Sequence, residues 1–381
     1  MNLITLLQPP RIAFGIGCAA QCIDLFTQRG ARRVLLVTSK SVRPQISYLV
    51  EGLYRAGCEI IESVPVPPEP TRAFFETALQ AAQTANIDSV LGIGGGSALD
   101  VAKLLAALVR GKQGVAEVLG INLLKGRELF VVCLPTTAGA GSEVSPVSVL
   151  LDEADQLKKA VISPHLLADA AFIDPSLAVT VPPAVTAATG IDAMTHCIEA
   201  YANKAAHPIT DVYALQGIRL ISKNLFRAVH TGSDLDARAA VALGSMYGGL
   251  CLGPVNTAAI HALSYPLGGR FHIPHGVSNA LLLPAVLRFN LSAAPERYAE
   301  IAVASGVTRQ DSISRTAEMG IEHLARLSAS CGVPQRLSEL KIPHEAIPAM
   351  AKAAMQVTRL LKNNLRPVTE ADAVDIYEAT F

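Results

Sequence analysis

Strand-like and helix-like segments alternate through the first half of the chain, and this alternation constrains the fold more than any other feature. Arg33–Thr38 reads as a buried strand, Pro44–Ala56 as a helix with proline in its first turn, Cys58–Val64 as a strand and Thr71–Ala85 as a helix. Ser89–Gly94, Ser97–Val109 and Leu129–Pro135 continue the series as strand, helix and strand. Apolar strands separated by helices imply a parallel sheet covered on both faces, with ligands at the carboxyl ends of its strands. After Phe172-Ile-Asp-Pro175 the pattern changes, and Pro182-Pro183 marks a boundary. Beyond it, Pro183–Asn203, Pro208–His230, Asp236–Leu252, Ala258–Leu267, Gly276–Asn290, Glu296–Ala304, Ile313–Ser330, Ile347–Val357 and Glu370–Ala379 read as helices. The expected architecture is an α/β N-terminal domain with a parallel Rossmann-like sheet, residues 1–180. An all-α C-terminal domain follows, residues 181–381, with a ligand cleft between the two.

The helical half concentrates the imidazoles. His261 to Gly276 holds three of the nine histidines. His261 falls in the apolar run 258–267, which Pro266, Gly268 and Gly269 are expected to stop, and His275 falls in the turn Pro274-His275-Gly276. Two histidines joined by a stiff turn make half of a metal site. Asp192 and His196, four residues apart on one helix face, make the other half. One carboxylate and three imidazoles suit Fe(II) or Zn(II). The competing readings are a hydrogen-bonded core histidine and an ordinary helix ion pair. His272, three residues before His275, is a candidate proton relay. Arg270 is either a solvated turn residue or a partner for a substrate carboxylate.

In the first half, Gly92-Ile-Gly-Gly-Gly-Ser-Ala-Leu-Asp100 lies at a strand end. Gly95 and Gly96, with Gly94, let a ligand approach the backbone, and Ser97 is expected to cap a helix whose N-terminus favours an anion. A bare strand-to-helix turn is the alternative. Pro135–Glu143 brings Thr136, Thr137 and Ser142 after the next strand, and Val144–Ile162 reads as a hairpin.

Composition removes other classes. The formal net charge is zero, Trp is absent and aromatics are 5%, so no basic or base-stacking surface for nucleic acid is expected. The seven cysteines are scattered without a CxxC pair, which fits a reducing cytoplasm. Met1–Pro10 lacks a signal-peptide pattern, and no apolar run reaches the ~20 residues that span a bilayer.

Gly190–Tyr201, His261–Gly276 and Pro135–Glu143 together resemble the iron-containing alcohol dehydrogenase family, in order and spacing over nearly the whole chain. The resemblance implies hydride transfer between a small alcohol or carbonyl compound and NAD or NADP. It implies iron, with zinc possible, on Asp192, His196, His261 and His275. It also puts the dinucleotide pyrophosphate on the Gly-Gly-Gly-Ser loop, Asp100, Thr136, Thr137 and Ser142 toward the cofactor, and Lys159 at its ribose. Two positions depart from the family pattern. Ser39 stands where many members carry an Asp that binds the adenosine ribose, so NADP is expected to be tolerated or preferred. Tyr265 stands where many carry His, and a phenol is a poorer base near neutral pH; Tyr265 then shapes the pocket, with Tyr247, Leu250 and Phe271 among its walls. The alternatives are a maleylacetate-reductase-like reductase of an oxo acid, a dehydroquinate-synthase-like lyase and a non-enzymatic binding protein. An edge strand at Ile12–Phe14 is expected to serve a homodimer.

Overall fold

Apolar residues on successive positions of the strands point to opposite sides of one sheet, and helices cover both sides. The computed structural model describes residues 3–381; Met1 and Asn2, part of the stretch read above for a signal peptide, lie outside them. The strands are β1 (Arg11–Phe14), β2 (Arg33–Thr38), β3 (Glu59–Glu62), β4 (Ser89–Gly94), β5 (Gly120–Ile121), β6 (Phe130–Pro135), β7 (Val147–Asp152), β8 (Leu157–Ile162) and β9 (Ala170–Ile173). A six-stranded sheet has the order β1-β9-β6-β4-β2-β3, and all its pairings are parallel. A smaller sheet, β5-β8-β7, contains the antiparallel β7–β8 hairpin.

Helices α1 (Gln21–Arg29), α2 (Ser47–Arg55), α3 (Arg72–Thr84), α4 (Gly96–Leu108) and the one-turn α5 (Val115–Val118) accompany these strands. Val34 and Leu36 of β2 pack with Phe26 of α1 and Leu49 and Leu53 of α2. Leu35 and Val37, between them in sequence, pack with Phe75 of α3 and Leu99 and Leu105 of α4. This two-residue period is why the strands are apolar throughout. From β2 the chain runs to β3 on one side and to β4, β6 and β9 on the other. The order therefore reverses between β2 and β4, and such a reversal is where open parallel sheets bind ligands.

The second half folds as helices α6 (Pro183–Tyr201), α7 (Pro208–His230), α8 (Leu235–Leu252), α9 (Ala259–Phe271), α10 (His275–Asn290), α11 (Pro295–Ala304), α12 (Ile313–Ser330), α13 (Ile347–Ala354), α14 (Thr358–Leu361) and α15 (Glu370–Glu378). Their core runs from Ile191 and Met194 of α6 through Ile218 and Leu225 of α7 to Leu263, Leu282 and Tyr377. The described residues divide into two units: residues 7–137 with 141–180, and residues 3–6, 138–140 and 181–381. No helix among them is long and apolar enough to cross a membrane.

Two local expectations are corrected. Pro266, Gly268 and Gly269 do not stop a helix: all three are buried inside α9, which runs on to Phe271. Burial on every side overrides their poor intrinsic propensity. The stop comes at His272, in the left-handed conformation at φ 55°, whose N–H bonds back to Gly268 O. His275 accordingly opens α10 rather than lying in a turn. Ser97 does not cap α4: Gly95 is the cap residue, and Ser97 lies within the first turn.

Candidate metal centre and cofactor loop

Helix α6 is buried almost all round, yet it carries Asp192, His196 and Glu199 along one stripe. Positions four and seven apart share a helix face. From the next-but-one helix pair come His261, in the first turn of α9, and His275, at the start of α10. One ligand atom each from Asp192, His261 and His275 lies within 4.8 Å of the others. Asp192 Oδ1 is 3.6 Å from His261 Nε2, 3.8 Å from His275 Nε2 and 3.9 Å from His196 Nε2. The rings of His196 and His261 stack with centroids 4.7 Å apart. The structure thus brings together all four residues singled out from the sequence.

Each ring is oriented from behind. His261 Nδ1 donates to Glu199 Oε2 at 2.6 Å, which turns Nε2 toward Asp192. The other oxygen of Glu199 accepts the Ile260 N–H at 2.6 Å, at the start of α9, where no side chain of that helix caps it. His196 Nδ1 lies 3.2 Å from the carbonyl oxygen of Gly139, within the 138–140 segment that packs with the helical unit. A side chain at Gly139 would come within 2.7 Å of Thr189 on α6, so glycine permits that approach. Glu199 and the Gly139 carbonyl were not singled out in the sequence. The seven-residue spacing from Asp192 to Glu199 was the available signal for the first; a backbone carbonyl leaves none.

The electrostatics follow from burial and from these neighbours. Burial alone raises the Asp192 carboxyl, but His196, His275 and His261 outweigh it and hold the group far below its ordinary range. Burial lowers His196. Burial would lower His261 too, but Glu199 and Asp192 outweigh it and push the ring up to about 10. Two buried carboxylates, Asp192 and Glu199, that favour positive charge on His261 in this way also favour a cation beside them.

Around the ligands, Tyr265 is buried on α9, its ring centroid 6.2 Å from that of His275, and its phenol oxygen accepts from Arg359 at 3.2 Å. His272 is exposed, and so is Arg270, in the last turn of α9.

In the sheet unit the glycine loop stands at the end of β4. Gly95, Gly96 and Ser97 are half-buried at the N-terminus of α4. Thr136 N–H bonds to Gly94 O at 2.9 Å, and Thr137 Oγ1 lies 3.2 Å from where a Cβ on Gly95 would stand, so the two loops are neighbours. Ser142 Oγ donates to Asp100 Oδ1 at 2.5 Å, and Asp100 Oδ2 accepts Val149 N–H at 2.9 Å. Lys103, wholly buried, donates to the carbonyls of Ser142 at 2.8 Å, Ser145 at 3.2 Å and Val147. The Asp100 carboxylate is therefore spent on holding the 142–149 segment. Lys159 is paired with Asp152 at 2.7 Å and Asp155 at 2.8 Å across the hairpin. Ser39 directly follows β2, with its carbonyl accepting from Val42 and Arg43 and its hydroxyl 3.1 Å from that of Ser41.

A parallel sheet with a glycine loop at its order reversal, and a buried cluster of one carboxylate and three imidazoles, are the parts of a metal-dependent oxidoreductase. Residues 9–175 match the family described as iron-containing alcohol dehydrogenase, and residues 186–381 match the C-terminal part of the Fe-containing alcohol dehydrogenase family. Long-chain-alcohol dehydrogenase 1 of Geobacillus thermodenitrificans is 40% identical, covering 100% of this chain and 98% of its own. 1,3-Propanediol dehydrogenase of Citrobacter freundii is 35% identical over 92% of each. The crystal structure of a 1,3-propanediol oxidoreductase superposes with a TM-score of 0.96 at 34% identity, covering all of both chains. The chain belongs to the iron-containing alcohol dehydrogenase family, and it is an enzyme of alcohol–aldehyde oxidoreduction.

The metal that the family implies fits the residues present. A tetrahedral ion with bonds of about 2.0–2.2 Å separates its ligand atoms by roughly 3.3–3.6 Å. The separations from Asp192 Oδ1 to the three Nε2 atoms are 3.6–3.9 Å, and Asp192, His261 and His275 form the group whose ligand atoms lie within 4.8 Å of one another; His196 stands outside that group, 3.9 Å from Asp192. The donors are oxygen and nitrogen without a thiolate, a set suited to Fe(II) or Zn(II).

Proposed function

We propose that Asp192, His196, His261 and His275 hold one divalent ion, Fe(II) with Zn(II) as a working substitute, and that the enzyme interconverts a small alcohol and its aldehyde or ketone with a nicotinamide dinucleotide. The carrying observation is the convergence of one carboxylate oxygen and three ring nitrogens. A divalent ion supplies Lewis acidity to the substrate oxygen, and the dinucleotide accepts or returns the hydride. The chain's own part is positional. Glu199 fixes the tautomer of His261 and the Gly139 carbonyl that of His196, so both present Nε2. Burial of Asp192, His196 and His261 keeps water from competing for them. In the oxidation, alcohol and NAD(P)+ give carbonyl, NAD(P)H and one proton. His272, exposed beside the cluster in sequence, is the proposed carrier of that proton, and Tyr265 a wall of the substrate pocket.

For the cofactor, Gly95, Gly96 and Ser97 at the α4 N-terminus take the pyrophosphate. Thr136, Thr137 and Ser142 line the same loop cluster; Asp100 serves the cofactor by holding Ser142, and Lys159 reaches it by leaving its pairs with Asp152 and Asp155. The sulfoacetaldehyde reductase of Bifidobacterium kashiwanohense, 28% identical with a TM-score of 0.89, has been crystallised with NAD+. Here Ser39 brings no carboxylate to repel a 2′-phosphate, so NADP is accepted as well as NAD. The same proposal includes a homodimer through the free edge of β1, where Phe14 and Ile16 are exposed, and residence in a reducing cytoplasm, since all seven cysteines are unpaired and buried.

The deciding experiment combines metal analysis of the purified protein with a panel of alcohols and aldehydes against NADH and NADPH. Turnover that chelation abolishes, Fe(II) or Zn(II) restores, and Asp192→Ala removes together with the bound metal is expected. Full activity in metal-free protein sinks the ligand assignment, and a strong kcat/KM preference for NAD sinks the Ser39 reading. A pH profile of His272→Ala that overlays the wild type removes the relay.

A further inference from the structure

Arg359 on α14 is half-buried, and its Nη2 donates to the phenol oxygen of Tyr265 at 3.2 Å. Other arginines of the helical unit have stronger partners: Asp234 for Arg227, Asp211 for Arg297, Glu300 for Arg309 and the Phe289 carbonyl for Arg366. Among the described residues Arg359 has neither an ion pair nor a carbonyl, only the phenol. A phenol near neutral pH is uncharged, so it orients the guanidinium without neutralising it. The cost of partly burying this charge is therefore not offset within the chain. Tyr265 fixes where the charge stands. Its ring is buried, packs with Ala262 on α9 and with Val357 and Leu360 at α14, and lies with its centroid 6.2 Å from that of His275. A single tyrosine thus bridges from a proposed metal ligand to an uncompensated cation. Arg270, the cation that the sequence offered for a substrate carboxylate, is exposed instead, with its guanidinium 5.9 Å from the ring of its own neighbour Phe271.

A guanidinium presents a planar fork of donors that meets a carboxylate through two parallel hydrogen bonds. One donor of Arg359 is used on Tyr265, and the others make no hydrogen bond to the described residues. We infer that Arg359 is a substrate-binding residue and that the substrate is an aldehyde acid, or the matching hydroxy acid: its carboxylate pairs with Arg359 while the Tyr265 ring packs against the carbons between that carboxylate and the reacting carbon. The inference deepens the function proposed above and rests on it, both for the metal ligands and for Tyr265 as a pocket wall. In the reduction the aldehyde carbon takes the hydride of NAD(P)H and the aldehyde oxygen takes a proton, giving the alcohol and NAD(P)+; the carboxylate is unchanged. An arginine that only rested on Tyr265 would give no preference between an acid and its neutral counterpart.

The test compares aldehydes that differ only at the end remote from the reacting carbon. The semialdehydes of butanedioic, pentanedioic and hexanedioic acid are paired with butanal, pentanal and hexanal, and the metal-loaded full-length enzyme reduces them with NADH and with NADPH. Wild type is expected to favour at least one acid over its neutral counterpart by about 10–100-fold in kcat/KM, the worth of a charged hydrogen-bonded pair. Arg359→Met should bring that ratio close to one, chiefly by raising KM for the acid. Arg359→Lys, which keeps the charge but not the fork, should fall between the two. A wild type that prefers no acid overturns the inference, and so does an Arg359→Met enzyme that keeps the wild-type ratio. If Arg359→Met does not fold, Tyr265→Phe decides, since it keeps the ring and removes the oxygen that holds Arg359: a lowered ratio supports the inference and an unchanged one overturns it. Turnover of both series without an acid preference leaves the proposed function standing. No turnover of either series, or of the alcohols of the panel above, defeats that function and this inference with it.

Discussion

Glu199 uses its two oxygens for different tasks, one on the His261 ring and one on the first turn of α9. A ligand ring held by a carboxylate is oriented and made more basic, and loss of such a partner typically costs 10–100-fold in metal affinity. Glu199→Gln keeps the shape and an oxygen for Ile260 but loses the charge behind His261. We expect Zn2+ affinity to fall by about 10–100-fold in chelator competition, with the fold retained. Equal affinity would show the carboxylate idle. Glu143, at the end of the Thr/Gly segment, gives a second residue-scale prediction. Burial, only partly offset by a backbone hydrogen bond and by Lys103, pushes its carboxyl up to about 7 from 4.5. A carboxyl that holds its proton more tightly when folded favours the folded state fully below 4.5, and that contribution is lost as the pH rises to about 7. Glu143→Gln should therefore match wild type near pH 4.5 and exceed it by up to about 3 kcal/mol near pH 8 in urea unfolding. A difference that is flat with pH would place the Glu143 proton elsewhere.

Among the elements, those with a clear period were legible. α7 at Pro208–His230, α12 at Ile313–Ser330, β4 at Ser89–Gly94 and the return strand β8 all run as their sequences indicate. α9 was not, because Pro266 and two glycines argue locally for a stop, and only packing against Tyr377 and the α10 residues explains its continuation. β9 was missed because Ala170–Ile173 is too short to show a period, although it is central to the sheet. The close approach of α10 to α6 leads to a prediction of its own. A Cβ on Gly276 would stand 2.3 Å from the Ala188 carbonyl oxygen, a backbone atom that cannot turn aside. Gly276→Ala must push the start of α10, and with it His275, away from Asp192. We expect a loss of about 1–3 kcal/mol in unfolding free energy, together with a fall in metal affinity that Ala280→Gly, deeper in α10, does not produce. Stability lost without any loss of metal affinity would show that His275 tolerates the shift.

At the scale of the whole chain, the order of strands and helices was readable because burial on two sheet faces leaves an unbroken apolar record, as in Val34 to Val37. The clustering of Asp192, His196, His261 and His275 was readable because each is a residue type that seldom sits in an apolar helix without a polar partner. What was not readable is what faces them: the Gly139 carbonyl leaves no mark in its side chain, and Asn279 looks like any helical amide. The 138–140 segment belongs with the helical unit although its neighbours on both sides belong with the sheet, and no composition shift announces that. The two ligands proposed here should consequently register in different parts of the chain. A ligand at 100 times its Kd stabilises the folded state by about 2.7 kcal/mol, which slows amide exchange most where local opening would break its contacts. Zn2+ is expected to slow exchange in α6, the first turns of α9 and α10, and the 138–140 segment. NADPH is expected to slow it at the end of β4, the first turn of α4 and residues 136–142. Hydrogen exchange read by mass spectrometry on stripped protein with each ligand alone decides the matter. Zn2+ protection centred on β4 and α4, with α6 and α10 unaffected, would remove the metal from Asp192 and its neighbours whatever the activity assays show.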